Sequence, residues 1–579
     1  MKRVISKFIF EALEEEKVNV SKEEIESLLE VPPNSEMGDF AFPCFMIAKK
    51  MKSPPSEVAL IIRQNIGGPP KELKEIQTAG PYVNFFVDRK TLALNIMSEI
   101  KKAKDKYGSI DKKPKTKIKT MIEFISPNTN KPLHVGHIRN MAIGESVSRI
   151  LEFNGEKVYR ANLNNDRGIH ICKSMTAYEE FSKGPKMKKN PKDAKMKSDH
   201  FVGSYYSLFG NMSEKSEKNK ENLEVAAHRM LRNWESGDKK TIELWKKMNQ
   251  WAFDGWKESY KNFGVKFNKE YYESKIYRQG KEIVLDGLKK GIFKKRKDGA
   301  VVINLSKEGL DEKVLLRIDG TTVYITQDIY LAMLKQKEFG LNKSYVVTGN
   351  EQIYHFNVLF SILNKLGFKS EGLKHFAYGM VRIPEGKIKS REGIKGLSAD
   401  EILEKVQDLA KKEIKKRGKI SNVELERRSS IIALAAIRYS MLKVDIKKNM
   451  LFNPKESISF EGDTGPYILY TYARASSILR KLDKKMELKL WEGLEKKEVE
   501  LVKKFSEFKM LSEKAYKELN PTIIANYVYQ LSQIFNEFYH NCPVIGSDKE
   551  HFRIGLVECF RIVMKNALNL IGIDTLEEM

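Results

Sequence analysis

Two histidines and a lysine share the segment SPNTNKPLHVGH, residues 126–137, and their types and spacing suggest chemistry. His134 and His137 are three residues apart, so both imidazoles fall on one side of a helix that begins there. Imidazole donates hydrogen bonds to phosphate oxygens, and Gly136 lets a purine ring approach the backbone. Lys131 adds a cation where a polyphosphate would lie. We therefore expect an adenine nucleotide at this segment.

The same histidine spacing also occurs in metal sites and in ordinary packing. A zinc site is disfavoured because no cysteine lies near the pair and no glutamate follows in an HExxH arrangement. A metal-dependent hydrolase would in addition need a third ligand. We expect no protein-bound metal here.

The elements around this segment follow the order strand, loop, helix, strand. Such a βαβ order predicts a doubly wound, Rossmann-like parallel sheet, in which backbone amides and a helix N-terminus face the ligand at the switch point. The strands and the helix are expected at 121–125 (MIEFI), 138–153, 157–163 (KVYRANL), 300–305, near the Asp319-Gly320 turn and at 344–349 (SYVVTG).

Three domains are expected along the chain. Residues 1–112 read as a small α+β domain that ends in a basic linker, and residues 113–400 read as the α/β catalytic domain. Residues 401–579 show helical spacing with interleaved aromatic side chains, which predicts an all-α bundle. An insertion at about 181–256 begins with seven lysines against two aspartates in twenty residues. This lysine run is either a solvated loop or a contact with an RNA backbone.

The charge of the chain points to a polyanionic partner. Its 579 residues contain 103 Lys and Arg against 77 Asp and Glu, a formal net charge of +26, which favours nucleic acid. Four cysteines without a CxxC pair exclude a disulfide framework and a thiolate zinc site. No run of about 18 apolar residues and no signal peptide are evident, so we expect a cytoplasmic protein without membrane contact.

Five ordered motifs carry a resemblance that spans nearly the whole chain. The segment 126–137 resembles the HIGH signature of class I aminoacyl-tRNA synthetases, in the form found in the arginyl-tRNA synthetase family. Four further segments match the same family, namely YITQD at 324–328, GNEQIYHF at 349–356, GMVRIPEGKIKSREG at 379–393 and FEGDTGPYILYTYARA at 460–475.

The resemblance implies an arginine-tRNA ligase. Such an enzyme forms arginyl-adenylate from L-arginine and ATP, with Mg²⁺ bound to the ATP, and transfers the arginyl group to the terminal adenosine of tRNA(Arg). The resemblance also implies a monomer whose arginine activation requires bound tRNA. One alternative is a catalytically weak RNA-binding paralogue of the same fold, and another is a synthetase for a different amino acid.

The family pattern assigns an arginine pocket. A guanidinium is planar and always charged, so paired carboxylates bind it best. A carboxylate at Glu123, within an apolar strand, costs several kcal/mol unless it is paired, and a bound guanidinium would supply that pairing. The implied contacts are Glu123, Asn128, Tyr324, Asp328 and Gln352.

The second class I signature is degenerate, because KMSKS is replaced by KIKSR at 387–391. Ser390 stands where a lysine is expected, and we hypothesise that Lys131, Lys387 and Lys389 share the stabilisation of pyrophosphate. His355 is counted with this ATP-binding and catalytic group. A further departure is Arg167 in NLNNDRGIH, where the family commonly has Trp, and this residue stays without a predicted role.

The resemblance also implies contacts with tRNA. Bases splayed from a loop stack on tyrosine rings, which makes aromatic residues of the helical bundle candidates for anticodon contacts. The alternative is that they are core residues. The implied tRNA-binding residues are Tyr467, Tyr470, Tyr539 and Met579 in the bundle, and Asn84 and Phe86 in the N-terminal domain.

Overall fold

The computed structural model describes residues 1–30, 32, 34, 37–110, 117–182, 188–368, 370–384, 397–481 and 493–579. These residues form two compact units. One comprises Met1–Tyr107, Ser477–Glu507 and Gln533–Val563, and the other comprises Gly108–Ser476, Phe508–Ser532 and Met564–Met579. Among the described helices, none combines the length and hydropathy that a membrane span needs. All four cysteines are buried free thiols.

The first unit contains a three-stranded antiparallel sheet with the order β1-β3-β2. Helix α1 packs its apolar face inward, because Ile5, Ile9 and Leu13 recur at helical spacing and are fully buried. Its N-terminal elements are α1 (Lys2–Glu15), α2 (Lys22–Leu28), β1 (Phe40–Pro43), α3 (Phe45–Met51), α4 (Pro55–Ile66), β2 (Leu73–Ala79), β3 (Tyr82–Val87) and α5 (Arg89–Ala103).

The second unit is built on a five-stranded parallel sheet with the order β11-β10-β4-β5-β6. Strands β5 and β6 follow β4 on one side, and β10 and β11 lie on the other, so the topological switch point falls between β4 and β10. The strands are β4 (Lys119–Glu123), β5 (Lys157–Asn164), β6 (Lys269–Tyr272), β10 (Lys343–Gly349) and β11 (Leu373–Tyr378). The predicted Rossmann-like sheet is confirmed, although β6 and β11 were missed.

Helices connect these strands and form the insertion. Four helices of the insertion region bury a shared apolar core that includes Met175, Phe201, Tyr205 and Ala227. The helices of this part are α6 (Val135–Phe153), α7 (Ile169–Phe181), α8 (Pro191–Ala194), α9 (Ser198–Ser213), α10 (Glu217–Ser236), α11 (Lys239–Asn262), α12 (Glu273–Ile276), α13 (Gln279–Lys289), α14 (Tyr324–Phe339) and α15 (Ile353–Lys365).

The strand predicted at 300–305 does not join the parallel sheet. It is β8 (Val301–Ile303), which pairs antiparallel with β7 (Lys294–Lys295) and β9 (Lys313–Leu316) in a separate three-stranded sheet. The Asp298-Gly299 turn explains this result, because a tight turn returns the chain beside the strand it has just left. The placement of this strand in the doubly wound sheet was therefore wrong.

The last part of the chain is helical, as predicted. Its only strand is β13 (Met450–Leu451), which pairs with the short β12 (Val381–Arg382) among the described residues. The helices are α16 (Ala399–Arg417), α17 (Asn422–Leu442), α18 (Pro454–Ser457), α19 (Gly465–Arg480), α20 (Lys496–Glu518), α21 (Thr522–Asn541) and α22 (Glu550–Leu570). The fold class is confirmed, and the bounds of the three predicted domains stay a prediction.

Candidate active site

The chain leaves the sheet at the switch point through a sharp turn. Ile125 and Ser126, directly after β4, have φ values of 79° and 46°, a region that β-branched and other L-residues rarely adopt. Two asparagines hold this turn, since Asn140 Oδ1 accepts from the Ile125 N–H at 2.6 Å and Asn162 Oδ1 accepts from the Ser126 N–H at 3.1 Å. Asn140 also donates to the carbonyl of Val347 in β10, at 2.7 Å. Sequence reasoning had missed both asparagines.

The backbone fixes the tautomer of both signature histidines. The Gly136 N–H donates to His134 Nδ1 at 3.1 Å, and the His134 N–H donates to His137 Nδ1 at 3.0 Å. Each Nδ1 is therefore an acceptor, and each neutral ring carries its proton on Nε2. The ring centroids are 4.0 Å apart. The pair thus presents two Nε2–H donors of fixed orientation at the start of α6.

Both histidines stay neutral at physiological pH. Burial and, to a smaller extent, the charge of the nearby Lys131 lower the pKa of His134 to about 3. Burial also holds the pKa of His137 well below its usual range, with further contributions from His134 and Lys131. The pKa of the Lys131 ammonium is lowered by burial as well. The imidazoles therefore offer hydrogen bonds rather than charge, and Lys131 is the cation of the segment.

The signature segment is joined to the chain that follows the KIKSR motif. The Ala399 N–H donates to the Leu133 carbonyl at 2.9 Å, and His134 forms an isolated antiparallel bridge with Ser398. Ser398 also caps α16, where its hydroxyl accepts from the Glu401 N–H at 3.2 Å. The motif itself, with Lys387, Lys389 and Ser390, lies outside the described residues.

Asp328 and His355 come together although they belong to separate motifs. His355 Nε2 lies 2.7 Å from Asp328 Oδ2, and both side chains are half-buried. Asp328 is one turn after Tyr324 at the start of α14, so the two share a face of the helix. Tyr324 is 67% exposed, and Asn128 and Gln352 are exposed as well. Exposure leaves these three polar side chains accessible to a small molecule.

Glu123 already has a counter-charge within the chain. Its Oε2 lies 2.5 Å from Lys335 Nζ, and both side chains are about 5% exposed. Lys335 lies on α14, two turns after Asp328. The expectation that a bound guanidinium supplies the pairing of Glu123 is corrected by this contact, because Lys335 already supplies it.

Sequence reasoning missed a second carboxylate near Asp328. Glu273 begins α12 and is 6% exposed. Its pKa is raised to about 7, mainly by burial and also by the charges of Asp166 and Asp328, against the opposing effects of Arg167 and of a hydrogen bond from Gln327. The only sequence signal was an acidic residue after the aromatic pair Tyr271-Tyr272, which is weak because acidic residues are common at helix starts.

The candidate tRNA contacts differ in accessibility. Asn84 is only 6% exposed within β3, so the prediction that it contacts RNA is not supported. Tyr539 is 39% exposed. The rest are half-buried: Phe86, Tyr467, Tyr470 and Met579. Tyr470 lies between two guanidinium groups, with Arg474 Cζ at 4.9 Å and Arg417 Cζ at 5.1 Å from the ring centroid.

Three protein-family models together match most of the chain. The catalytic domain of class I (R) tRNA synthetases matches residues 97–453, the arginyl tRNA synthetase N-terminal domain matches residues 2–87, and the DALR anticodon binding domain matches residues 468–579. The chain belongs to the arginyl-tRNA synthetase family of class I. Its reaction is accordingly the ATP-dependent ligation of arginine to tRNA.

Individual relatives agree with this membership. The chain is 44% identical over 573 residues to the arginine–tRNA ligase of Treponema denticola, covering 95% of this chain and 94% of that protein. It is 43% identical over 484 residues to the arginine–tRNA ligase of Parabacteroides distasonis, covering 79% of this chain and 80% of that protein.

Solved structures match along the full length. The Thermus thermophilus arginyl-tRNA synthetase has a TM-score of 0.80 at 25% identity and covers 100% of both chains. The Plasmodium falciparum arginyl-tRNA synthetase has a TM-score of 0.77 at 20% identity, which supports the fold. None of these matches favours the catalytically weak RNA-binding paralogue.

Proposed function

We propose that arginyl-adenylate forms at the switch point, with the nucleotide held by residues 126–137. The fixed tautomers of His134 and His137 support this proposal most directly, because two Nε2–H donors of set orientation suit the oxygens of a phosphate. Gly136 leaves space beside them for the adenine ring. Lys131, aided by Lys387 and Lys389, balances the charge that develops on pyrophosphate.

The arginine substrate binds to the polar side chains near the start of α14. Asp328 and Glu273 provide paired carboxylates for the guanidinium, and the charge of Asp328, which raises the pKa of Glu273, supports this assignment. Tyr324 and Gln352 complete the contacts, and Asn128 holds the α-amino end. Glu123 is already paired with Lys335. It contributes a further acidic contact only if the guanidinium reaches the Glu123 carboxylate beside the Lys335 ammonium.

The reaction needs no covalent nucleophile on the protein. A carboxylate oxygen of arginine attacks the α-phosphorus of ATP, the bond to the bridging oxygen of the β-phosphate breaks, and pyrophosphate leaves. ATP enters as its Mg²⁺ complex, and residues 126–137 include no Asp or Glu that would bind the ion separately. The chain contributes alignment and hydrogen bonds from neutral histidines.

The 3′ end of the tRNA enters along a groove beside the nucleotide segment. This groove, of about 390 Å³, is lined by Pro132, Met196, His200, Ser204, Leu208 and Ser398. Its mixture of hydroxyl groups and apolar side chains suits a nucleotide, which has polar edges and flat faces. A hydroxyl of the terminal adenosine then attacks the adenylate carbonyl, and AMP leaves.

Bound tRNA is required for arginine activation, so RNA binding and the first chemical step are coupled. The backbone contacts of Leu133 and His134 with Ala399 and Ser398 support such coupling, because Ser398 lines the groove and is bridged to His134 of the nucleotide segment. Arginine-dependent pyrophosphate exchange should be absent without tRNA. Full exchange in its absence would contradict the coupling. We further propose that the enzyme is a cytoplasmic monomer without a structural metal.

One experiment tests the proposed pocket directly. Total tRNA is incubated with ATP, Mg²⁺ and each of the twenty radiolabelled amino acids, using the natural chain beside the Asp328→Ala variant. We expect the natural chain to charge arginine alone and the variant to lose this charging. A variant that retains normal charging would remove Asp328 from the pocket.

A further inference from the structure

Arg167 contacts two aromatic rings and two carboxylates beside the proposed arginine pocket. Its guanidinium carbon lies 3.9 Å from the ring centroid of Tyr277 and 5.3 Å from that of Trp234. Its Nη2 donates to Glu235 Oε1 at 2.8 Å, and its Nη1 lies 3.9 Å from Glu273 Oε1. The side chain is 11% exposed. Stacking on the Tyr277 ring restrains the plane of the guanidinium, and the Trp234 ring lies beside Tyr277 with its centroid 5.5 Å away, so the position of Arg167 is well defined.

The stronger ion pair of Arg167 is with Glu235, on the insertion helix α10. The contact with Glu273 is looser, at a distance where the charges attract without a hydrogen bond. Arg167 thus supports the charge of Glu273 without a hydrogen bond, and the lone pairs of the carboxylate that Gln327 does not engage can accept from another guanidinium. If Arg167 only neutralised Glu273, we would expect a direct hydrogen bond between the two side chains.

We propose that Arg167 is a positioning residue of the arginine pocket, which fixes the Glu273 carboxylate as an anion that receives the guanidinium of the substrate. This inference rests on the proposed role of Glu273. It also gives Arg167 a role, because this side chain links Glu273 of the proposed pocket to Glu235 on the insertion helix α10. Arginine specificity then draws on a cation–aromatic stack that never touches the substrate.

The charges around Glu273 make the inference measurable through pH. Asp166 and Asp328 face Glu273 and favour its protonated form, whereas Arg167 favours the ionised form. Asp166 is held in place by the Ser274 N–H at 2.8 Å, and Asp328 carries its own partner His355. Because the pKa of Glu273 is about 7, arginine must displace a proton from Glu273 when it binds at lower pH.

The sign of the pH effect follows from this proton. Below the pKa of Glu273 the KM for arginine should rise by about tenfold per pH unit, and above it the KM should level off. In Arg167→Gln the positive neighbour is gone, so the pKa rises further and the KM starts to increase at a higher pH. Arg167→Lys keeps the charge without the stacked plane and should give an intermediate profile.

The experiment measures KM and kcat for arginine in tRNA-dependent pyrophosphate exchange from pH 6 to 8.5, for the natural chain, Arg167→Gln, Arg167→Lys, Glu235→Gln and Glu273→Gln. We expect Arg167→Gln to move the KM profile toward alkaline pH by about one unit with a change in kcat below about threefold. Glu273→Gln should raise KM at every pH and flatten the profile.

Glu235→Gln serves as a second variant that should fold, because the Glu235 side chain is 47% exposed. It removes a negative charge near the cluster and leaves Arg167 with Glu273 as its partner, so the profile should move toward acid pH by a few tenths of a unit. An unmoved profile, or one moved toward alkaline pH, would overturn the role of Arg167.

The two proposals fail in different ways. An unchanged KM in Glu273→Gln would overturn the proposed role of Glu273 itself. A raised KM in Glu273→Gln together with a natural pH profile in Arg167→Gln would leave that role intact and would overturn the positioning role of Arg167 alone.

Discussion

The Nε2 of His355 lies 2.7 Å from Oδ2 of Asp328, which brings together the motifs YITQD and GNEQIYHF. Nε2 carries the proton in this hydrogen bond, so the Asp328 carboxylate keeps Oδ1 and its remaining lone pairs for a ligand. His355 was expected on the nucleotide side of the site and Asp328 on the arginine side. Their contact indicates that His355 orients the carboxylate that we propose to bind the arginine guanidinium.

Removal of the Asp328 charge should weaken arginine selectively. In Asp328→Asn the guanidinium loses an ionised partner, and we expect kcat/KM for arginine to fall by about 10² to 10³, mainly through KM. Lysine presents a point charge that does not bridge two carboxylates, so its poor charging should change little. The measurement is aminoacylation with both amino acids.

A matched control for Asp328 is available on the surface. Asp286→Asn, whose side chain is 58% exposed in an ion pair with Lys290, should leave both rates within about twofold. If lysine charges tRNA at a rate comparable to arginine in the natural chain, the paired-carboxylate account of specificity is wrong.

Breaking the buried ion pair should cost stability. Glu123→Gln leaves the Lys335 ammonium buried without a counter-charge, and we expect the free energy of unfolding to fall by about 3 to 5 kcal/mol. The double variant Glu123→Gln/Lys335→Met should recover most of this loss, because no buried charge then remains. Urea unfolding followed by circular dichroism provides the measurement.

The same variants separate structure from substrate binding. Asp286→Asn, which breaks an exposed pair, should cost less than about 1 kcal/mol. If the double variant is stable and binds arginine normally, Glu123 acts in the fold and not in the pocket. A single variant as stable as the natural chain would contradict the buried pair.

The fixed tautomers of the signature histidines predict unequal effects of two amide substitutions. In His137→Asn the Oδ1 atom still accepts from the His134 N–H, but the side chain has no donor at the position of Nε2. In His137→Gln the amide nitrogen replaces Nε2 as a donor. We expect arginine activation to fall by about 10² to 10³ in the Asn variant and by clearly less in the Gln variant.

Tests of the tautomer use pyrophosphate exchange at saturating arginine. His228→Asn, on the exposed face of α10, is a control that should not alter the rate. Since burial keeps the pKa of His134 near 3, neither histidine should produce a titration step between pH 6 and 8. Greater activity in the Asn variant than in the Gln variant would reverse the assigned donor atom.

Lys131 should act on the nucleotide and not on arginine. Lys131→Ala removes the cation beside the phosphates, so we expect the rate of activation to fall by orders of magnitude with little change in the affinity for arginine. The exposed Lys289→Ala is the control. A near-normal activation rate would exclude Lys131 from the stabilisation of pyrophosphate and leave Lys387 and Lys389 as the candidates.

Local sequence patterns determined most of the fold and the position of the segment that we propose to bind phosphate. The apolar run at 121–125, the helix after His134 and the strand at 157–163 are each set by short-range spacing, and the structure places β4, α6 and β5 there. Strand β11, with the sequence LKHFAY, has neither an apolar run nor an alternating pattern, so it carried too little signal to be predicted. The strand at 300–305 was predicted in the right place but in the wrong sheet, because pairing partners are chosen by tertiary contacts.

The composition of the pocket was decided by the tertiary structure. Sequence motifs nominate Glu123 and Asp328, yet only the packing of α14 against β4 gives Glu123 its partner Lys335, 212 positions away in the chain. Glu273 and Arg167 carry no local signal, because a single charged residue looks alike on a surface and in a buried cluster. Burial and long-range charge contacts create their properties, and these depend on the folded arrangement of distant segments.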